Sequence, residues 1–396
     1  MALTGIPFFI LTILLFVGSI ALAMAQWARS GLAPGRAAGR RGSGRRAQPS
    51  RQRGPLAAAG YLGTILLCQF TAVAMVFVMV NNSTQLYDNW SDLLGTGSHV
   101  RAVPPPPKDN GLAGDAAAAS ANPGAKVVAS FHAPSSDAVP RDVKETELKG
   151  KLSGVDGEVL VWTPPQYDDP AYKDKNFPVV ELLAGFPGSS AAWFGTMNVS
   201  KQLAPLMKSG EVTPFILVSP RVTLLGQNTD TGCADVPGKV NAETWLDRDV
   251  PQMILDNFRT TASADQWAVA GYSAGAHCAA RLVLGHPDRY RAAIAMSGYN
   301  DPIQEADSLT AKDPKLRQTS NPLYLLTHAT TPPNVALWMS GRKGDGLEDA
   351  TALQQAAKAP TTVTPFETTG PHLTSTWEPL VVPTFKWLST IIPAPK

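Results

Sequence analysis

Two runs of residues without a single charge, Ile6–Met24 and Leu56–Val80, constrain this chain more than any other feature. A helix rises about 1.5 Å per residue, so roughly 20 apolar residues cross a hydrocarbon core. Both runs are long enough. Core helices of a soluble protein would carry polar punctuation, and the most polar member of the second run is Gln69. Two membrane spans are therefore predicted. Eight arginines (29, 36, 40, 41, 45, 46, 51 and 53) lie between the runs or at their edges, and residues 1–53 hold no Asp, Glu or Lys. Arginine-rich loops stay on the cytoplasmic side, so the short loop 28–54 should be cytoplasmic and everything after Val80 exported. Ala21–Ala25 resembles a small-residue cleavage site. However, no basic residue precedes the first run, and cleavage would strand the arginines outside. Retention of both spans is the preferred reading.

Charge sharpens the division. The whole chain of 396 residues has a formal net charge of +2, yet beyond the arginine segment it carries 26 basic against 32 acidic side chains. A mildly acidic body argues against nucleic acid as a partner and leaves the lipid bilayer to explain the arginines. Nine Trp and thirteen Phe exclude a disordered chain, and three Cys exclude a disulfide scaffold.

Residues 1–80 thus read as a two-span anchor. Residues 81–125, with Pro104–Pro107 and then GLAGDAAAASANPGA, read as a partly stiff exported linker. Residues 126–396 are enough for one large domain. In it, short apolar runs alternate with helical stretches. Strands are expected at Glu158–Trp162, Val179–Leu183, Phe215–Ser219, Gln266–Ala270, Ala292–Met296, Val335–Ser340 and Val363–Glu367. Helices are expected at Ala191–Ser209, Trp245–Arg259, Ala274–Leu284 and Glu348–Lys358. That order predicts an α/β fold with a mostly parallel sheet covered on both faces, opened by an antiparallel hairpin within Glu145–Trp162.

The chemistry centres on Trp267–Gly275, where a buried strand runs into Gly271-Tyr272-Ser273-Ala274-Gly275 and then a helix. G-x-S-x-G places a serine on a tight strand-to-helix turn, and its flanking glycines avoid collisions. Ser273 is the candidate nucleophile, with the Ala274 amide as one oxyanion donor. A serine needs an adjacent base, and in this architecture the acid and then the histidine follow it. Of the later histidines, His286 sits at a helix end, His328 ends NPLYLLTH, and His372 lies in a loop after the last strand. His372 is the expected base. The acid should come from Gly341–Asp349. Asp345 between two glycines is preferred, with Glu348 and Asp349 as alternatives whose other role is to charge a helix N-terminus. The second oxyanion donor should be the Phe186 amide in Leu183–Gly188, after an early strand. Cys233 and Cys278 are expected to pair outside the membrane, and Cys68, in the second span, to stay free. No His/Cys/Asp cluster has metal-ligand spacing, so neither a metal nor an organic cofactor is expected.

LLAGFPG…W, AETWLDRDVPQMILDNFR, GYSAGAHCAARLVLGHPDRYRAAIAMSGYNDP and GPHLTSTW together resemble the esterase family that includes the antigen 85 mycolyltransferases and esterase D-type enzymes. The likeness spans roughly Gly150 to Leu388. It implies an α/β-hydrolase fold and acyl transfer from an ester through Ser273, His372 and an acid, with Phe186 and Ala274 matching the family's oxyanion donors. Ala184 and Pro187 stand where the mycolyltransferases carry an acidic and a basic residue, so the resemblance implies no trehalose site. The expectation is a membrane-anchored serine esterase or acyltransferase acting on envelope lipid or glycolipid esters. The alternative is an inactive envelope-binding protein on the same fold.

Overall fold

The structure, a computed structural model, describes residues 5–29, 55–87, 89–105, 128–226 and 229–395. The arginine-rich loop beyond Arg29 and residues 106–125 of the expected linker lie outside the described residues. The chain divides into two compact units, residues 1–83 and 84–396.

The first unit holds helices α1 (Ile6–Arg29) and α2 (Pro55–Thr84). Both are long and apolar enough to cross a membrane, over Ile6–Ala28 and Ala59–Thr84. Their large side chains face outward, Leu14 63%, Phe70 71% and Val73 69% exposed, which is the opposite of a soluble core helix. The few polar side chains turn inward instead. Ser19 Oγ and Thr71 Oγ1 lie 3.0 Å apart and are buried, as expected where small polar residues join helices in an apolar solvent.

The second unit is built on an eight-stranded sheet. Its strands are β1 (Lys144–Lys149), β2 (Asp156–Trp162), β3 (Val179–Leu183), β4 (Ile216–Pro220), β7 (Trp267–Tyr272), β8 (Ala292–Met296), β9 (Ala336–Gly341) and β10 (Thr362–Glu367). They lie in the order β1-β2-β4-β3-β7-β8-β9-β10. The strands from β4 to β10 run parallel, while β2 pairs antiparallel with β1 and β4. A small hairpin, β5 (Asp235–Val236) with β6 (Val240–Asn241), sits in the connection after β4.

Successive strand residues point to opposite faces, and here both faces are apolar. Val179, Val218, Val269, Ala293 and Leu337 pack into one core, and Val180, Leu217, Ala268, Ile294 and Trp338 into the other. Helices cover both, including Ala274–Gly285 on the first face and Val381–Ile391 on the second. The edges differ in character. Strand β1 reads KETELK, with Lys144, Glu147 and Lys149 exposed. Strand β10 carries Pro365, which an edge strand tolerates because not every residue there must donate.

Two expectations need correction. The helix expected over Ala191–Ser209 is a short 3-10 turn, Ser190–Ala192, and a separate helix, Val199–Ser209. Trp193, Phe194 and Met197 fill the core from the irregular stretch between, and Asn198 takes φ 49°. The second concerns the linker. Residues 89–105 are no free spacer but a strap against the sheet of the second unit. The short helix α3 (Trp90–Leu93) places Asp92 3.3 Å from Arg221, and both are 5% exposed. Backbone bonds from His99 to Leu224, Asp156 to His99 and Arg101 to Gly154 hold the strap's remainder. One buried ion pair and edge bonding do what apolar periodicity does elsewhere.

Candidate active site

Ser273 follows β7 directly and starts the helix Ala274–Gly285. Its backbone has φ 57° and ψ −128°, a region that side chains rarely occupy. Glycine spacing explains how the turn closes. A Cβ on Gly271 would lie 2.0 Å from the Gly275 carbonyl oxygen, and one on Gly275 would lie 2.3 Å from that of Leu183. The turn therefore presses its helix onto the end of β3. The loop after β3 is equally close, since a Cβ on Gly185 would stand 3.0 Å from Ser273 Cβ and 3.4 Å from its Oγ. Phe186 comes next in that loop, and Ala274 opens the helix.

His372 lies in the loop after β10, with Nε2 2.8 Å from Ser273 Oγ and Nδ1 2.7 Å from Asp345 Oδ1. With Nδ1–H donating to the carboxylate, Nε2 is left to accept the serine proton. Asp345 occupies a tight turn after β9, closed by backbone bonds with Arg342 and flanked by Gly344 at φ 74° and Gly346 at φ 90°. A side chain on Gly346 would strike the Gly298 carbonyl at 2.8 Å. The alternative acids are engaged elsewhere. Glu348 accepts the Gly344 N–H, and Asp349 accepts from the Asn300 N–H and Gln304. The other two histidines also have local partners. His286 bonds Glu243 at 2.7 Å, and His328 stacks on Tyr324.

Aromatic residues frame the imidazole, and spacing alone does not reveal them. Trp377 meets His372 edge to face at 4.8 Å, stacks on Tyr272 at 4.9 Å, and donates from its indole N–H to Ser297 Oγ. Trp193 packs behind Tyr272 at 5.5 Å. The only available signal was that Tyr272 is the variable residue of the elbow and Trp377 ends TSTW.

Cys233 and Cys278 form a disulfide, which joins the loop after β4 to the elbow helix. Beside it, Arg281 donates to the Cys233 carbonyl and pairs with Glu243, which also holds His286. Burial alone would raise the Glu243 pKa. The Arg281 charge and the His286 contact outweigh it, and the carboxyl falls to about 2. His277, on the same helix, is buried and falls to about 4, because the loss of water outweighs its bond to the Tyr299 carbonyl. It stacks on Tyr299 and bonds the Tyr299 carbonyl, a structural role. Among the described residues no group of three or more His, Cys, Asp or Glu is placed to hold a metal.

A central sheet in this order, with a serine on the turn after its middle strand and the histidine and aspartate on later loops, is the architecture of the α/β-hydrolases. Solved structures share it. A ferulic acid esterase aligns with TM-score 0.54 and 21% identity, over 63% of this chain and 97% of that one. An S-formylglutathione hydrolase from Agrobacterium tumefaciens aligns with TM-score 0.52 and 15% identity, over 67% and 99%. A fluorophosphonate-binding serine hydrolase of Staphylococcus aureus gives TM-score 0.52 and 14% identity, over 62% and 97%. The family described as "Putative esterase" matches residues 153–387, more than half of the chain, and the chain belongs to that family. An uncharacterized protein of Corynebacterium glutamicum is 26% identical over 256 residues. The match covers 60% of this chain and 58% of that relative's length.

Proposed function

We propose that this chain is a membrane-held serine esterase or acyltransferase whose chemistry runs through an acyl group on Ser273. The observation that carries the reading is the hydrogen-bonded series Ser273–His372–Asp345 on a strained elbow. Ser273 Oγ attacks the ester carbonyl carbon while its proton passes to His372 Nε2. The charge developing on the carbonyl oxygen is met by the Phe186 and Ala274 N–H groups. The tetrahedral adduct then collapses, the bond to the alcohol oxygen breaks, and that oxygen takes the proton from Nε2. Water or an acceptor hydroxyl, deprotonated by the same Nε2, attacks the acyl-serine and returns the proton to Ser273. Asp345 keeps Nδ1 protonated and stabilises the imidazolium. None of these steps calls on a metal or an organic cofactor.

The two apolar helices and the intervening arginines support an anchor with loop 28–54 inside and the catalytic domain outside, facing envelope lipid or glycolipid esters. Fluorophosphonate labelling of intact cells tests both parts. Wild-type chain should label without permeabilisation, and Ser273→Ala should not. Labelling that survives the substitution would end the nucleophile assignment. Labelling that requires permeabilisation would reverse the orientation.

A further inference from the structure

The loop that the disulfide holds carries a carboxylate for which the catalytic steps have no use. Asp230 is 5% exposed. One of its oxygens, Oδ1, accepts the Gly232 N–H at 3.0 Å, while Oδ2 is enclosed with no hydrogen-bond partner among the described residues. A buried acceptor left unpaired is costly, so its presence needs a reason. The neighbourhood supplies one. Leu309 N–H donates to the Asp230 carbonyl at 2.8 Å, and a side chain on Gly232 would run into Thr310, so this loop is packed onto the stretch 301–310.

That stretch reads DPIQEADSLT and carries three acids. Arg317 takes Asp301 through two bonds of 2.6 Å. No lysine or arginine bonds to the Glu305 or Asp230 carboxylate among the described residues. The Glu305 charge acts on Asp230, and Tyr299 feels both. Burial and then the Glu305 charge raise Asp230 to about 6, while burial and the Asp307 charge raise Glu305. Glu305 also interacts with His372. Gln304, next to Glu305, and the Asn300 N–H both bond Asp349, just past the turn whose Asp345 holds His372, so the uncompensated acids lie on the imidazole side of the site. His372 Nε2 must reach the leaving oxygen, so whatever lies on that side meets the alcohol half of the ester, not the acyl chain.

We propose that Asp230 and Glu305 form a subsite for a protonated amine on the alcohol that leaves or accepts the acyl group. The inference rests on the esterase reading and narrows its substrate class. An ammonium group supplies both what Asp230 Oδ2 lacks, a donor, and what the pair lacks, a positive charge. A sugar hydroxyl would satisfy the first need only.

The test uses the full chain in detergent at pH 7 and three butyryl thioesters, read by thiol release. Their thiols are 2-(dimethylamino)ethanethiol, its neutral isostere 3-methylbutane-1-thiol, and 1-thioglycerol. Wild type should favour the cationic ester over the isostere by about tenfold in kcat/KM, the scale of a partly desolvated ion pair. Glu305→Gln, at a half-buried position, should bring that ratio close to one, and Asp230→Asn should lower it. Because Glu305 also acts on His372, the ratio is the informative quantity, not the absolute rate. Equal rates in wild type, a preference that survives both substitutions, or a preference for the thioglycerol ester would overturn the proposal. A binding arm separates its failure from that of the esterase reading. Ser273→Ala chain should bind 2-(dimethylamino)ethanol saturably by ligand-observed NMR, and the Ser273→Ala/Glu305→Gln chain should not. Absent binding overturns the subsite even where esters turn over. Binding without any turnover keeps the subsite and refutes the esterase.

Discussion

His372 Nε2 stands 2.8 Å from Ser273 Oγ, although 99 residues separate them in the chain. The parallel sheet makes that contact, since the loops after β7 and β10 leave from the same edge of the strands. The Asp345 turn after β9 lies between them in sheet order, which lets one imidazole reach both groups.

Groups that act as one unit fail together. Ser273→Ala and His372→Ala should each lower kcat/KM for a short-chain ester by on the order of 10⁴-fold or more. The double substitution should be hardly worse than either alone. Asp345→Asn should cost roughly 10³–10⁴-fold, because it spoils the tautomer and leaves the nucleophile. Additive losses in the double variant would show that the residues act separately.

Asp230 should make folding stability depend on pH in a defined direction. Its pKa rises from the ordinary 3.8 to about 6 in the folded chain, chiefly through burial. The folded state therefore favours the protonated form. The contribution is complete below pH 3.8 and is lost as pH rises through about 6. The loss amounts to about 3 kcal/mol by linkage. Thermal unfolding of wild type and Asp230→Asn at pH 4.5 and pH 8 should show the variant gaining relative stability at the higher pH. A difference that is the same at both values counts against a buried carboxylate there.

The disulfide closes a sequence separation of 45 residues. Chain entropy puts its worth at about 4 kcal/mol, and native contacts that persist without it reduce this, so replacing both cysteines by alanine should cost about 2–4 kcal/mol. Mass after alkylation should show one modified thiol before reduction and three after. Three modified thiols before reduction would show that the bridge is not formed.

The strap offers an internal comparison between two ion pairs. Asp92→Ala strips a partner from Arg221, which keeps Glu158 at 2.5 Å in a buried setting, and should destabilise by about 2 kcal/mol. Asp137→Ala breaks a pair with Arg141 whose side chains are more than half exposed and should cost under about 1 kcal/mol. Equal effects in unfolding would mean that the strap does not hold the domain.

How far the fold was legible follows from where each element's information lies. Strands such as Val179–Leu183 and Ala292–Met296 are continuous apolar runs because both faces are covered, and their limits can be read locally. The meeting of Ser273, Asp345 and His372 follows from chain order together with glycines that only tight turns require. Trp377 against His372, by contrast, depends on a helix start after the last strand that no period marks. The strap is the clearest failure. Its partner Arg221 is 129 residues away, and its own composition is that of a linker. One buried charge pair has no sequence signature.

The two ends of the sheet bear on how copies of this chain coexist. Candidate membrane helices would confine neighbours to a plane, where encounters are frequent and long. An open strand edge is then a template for adding another copy's strand. Strand β1 exposes Lys144, Glu147 and Lys149 and is partly covered where Glu145 exchanges backbone bonds with His132, and β10 interrupts its donors with Pro365. A crowded population of such molecules thereby lacks the easiest route to edge-to-edge aggregation. Replacing Pro365 with valine would leave β10 more adhesive.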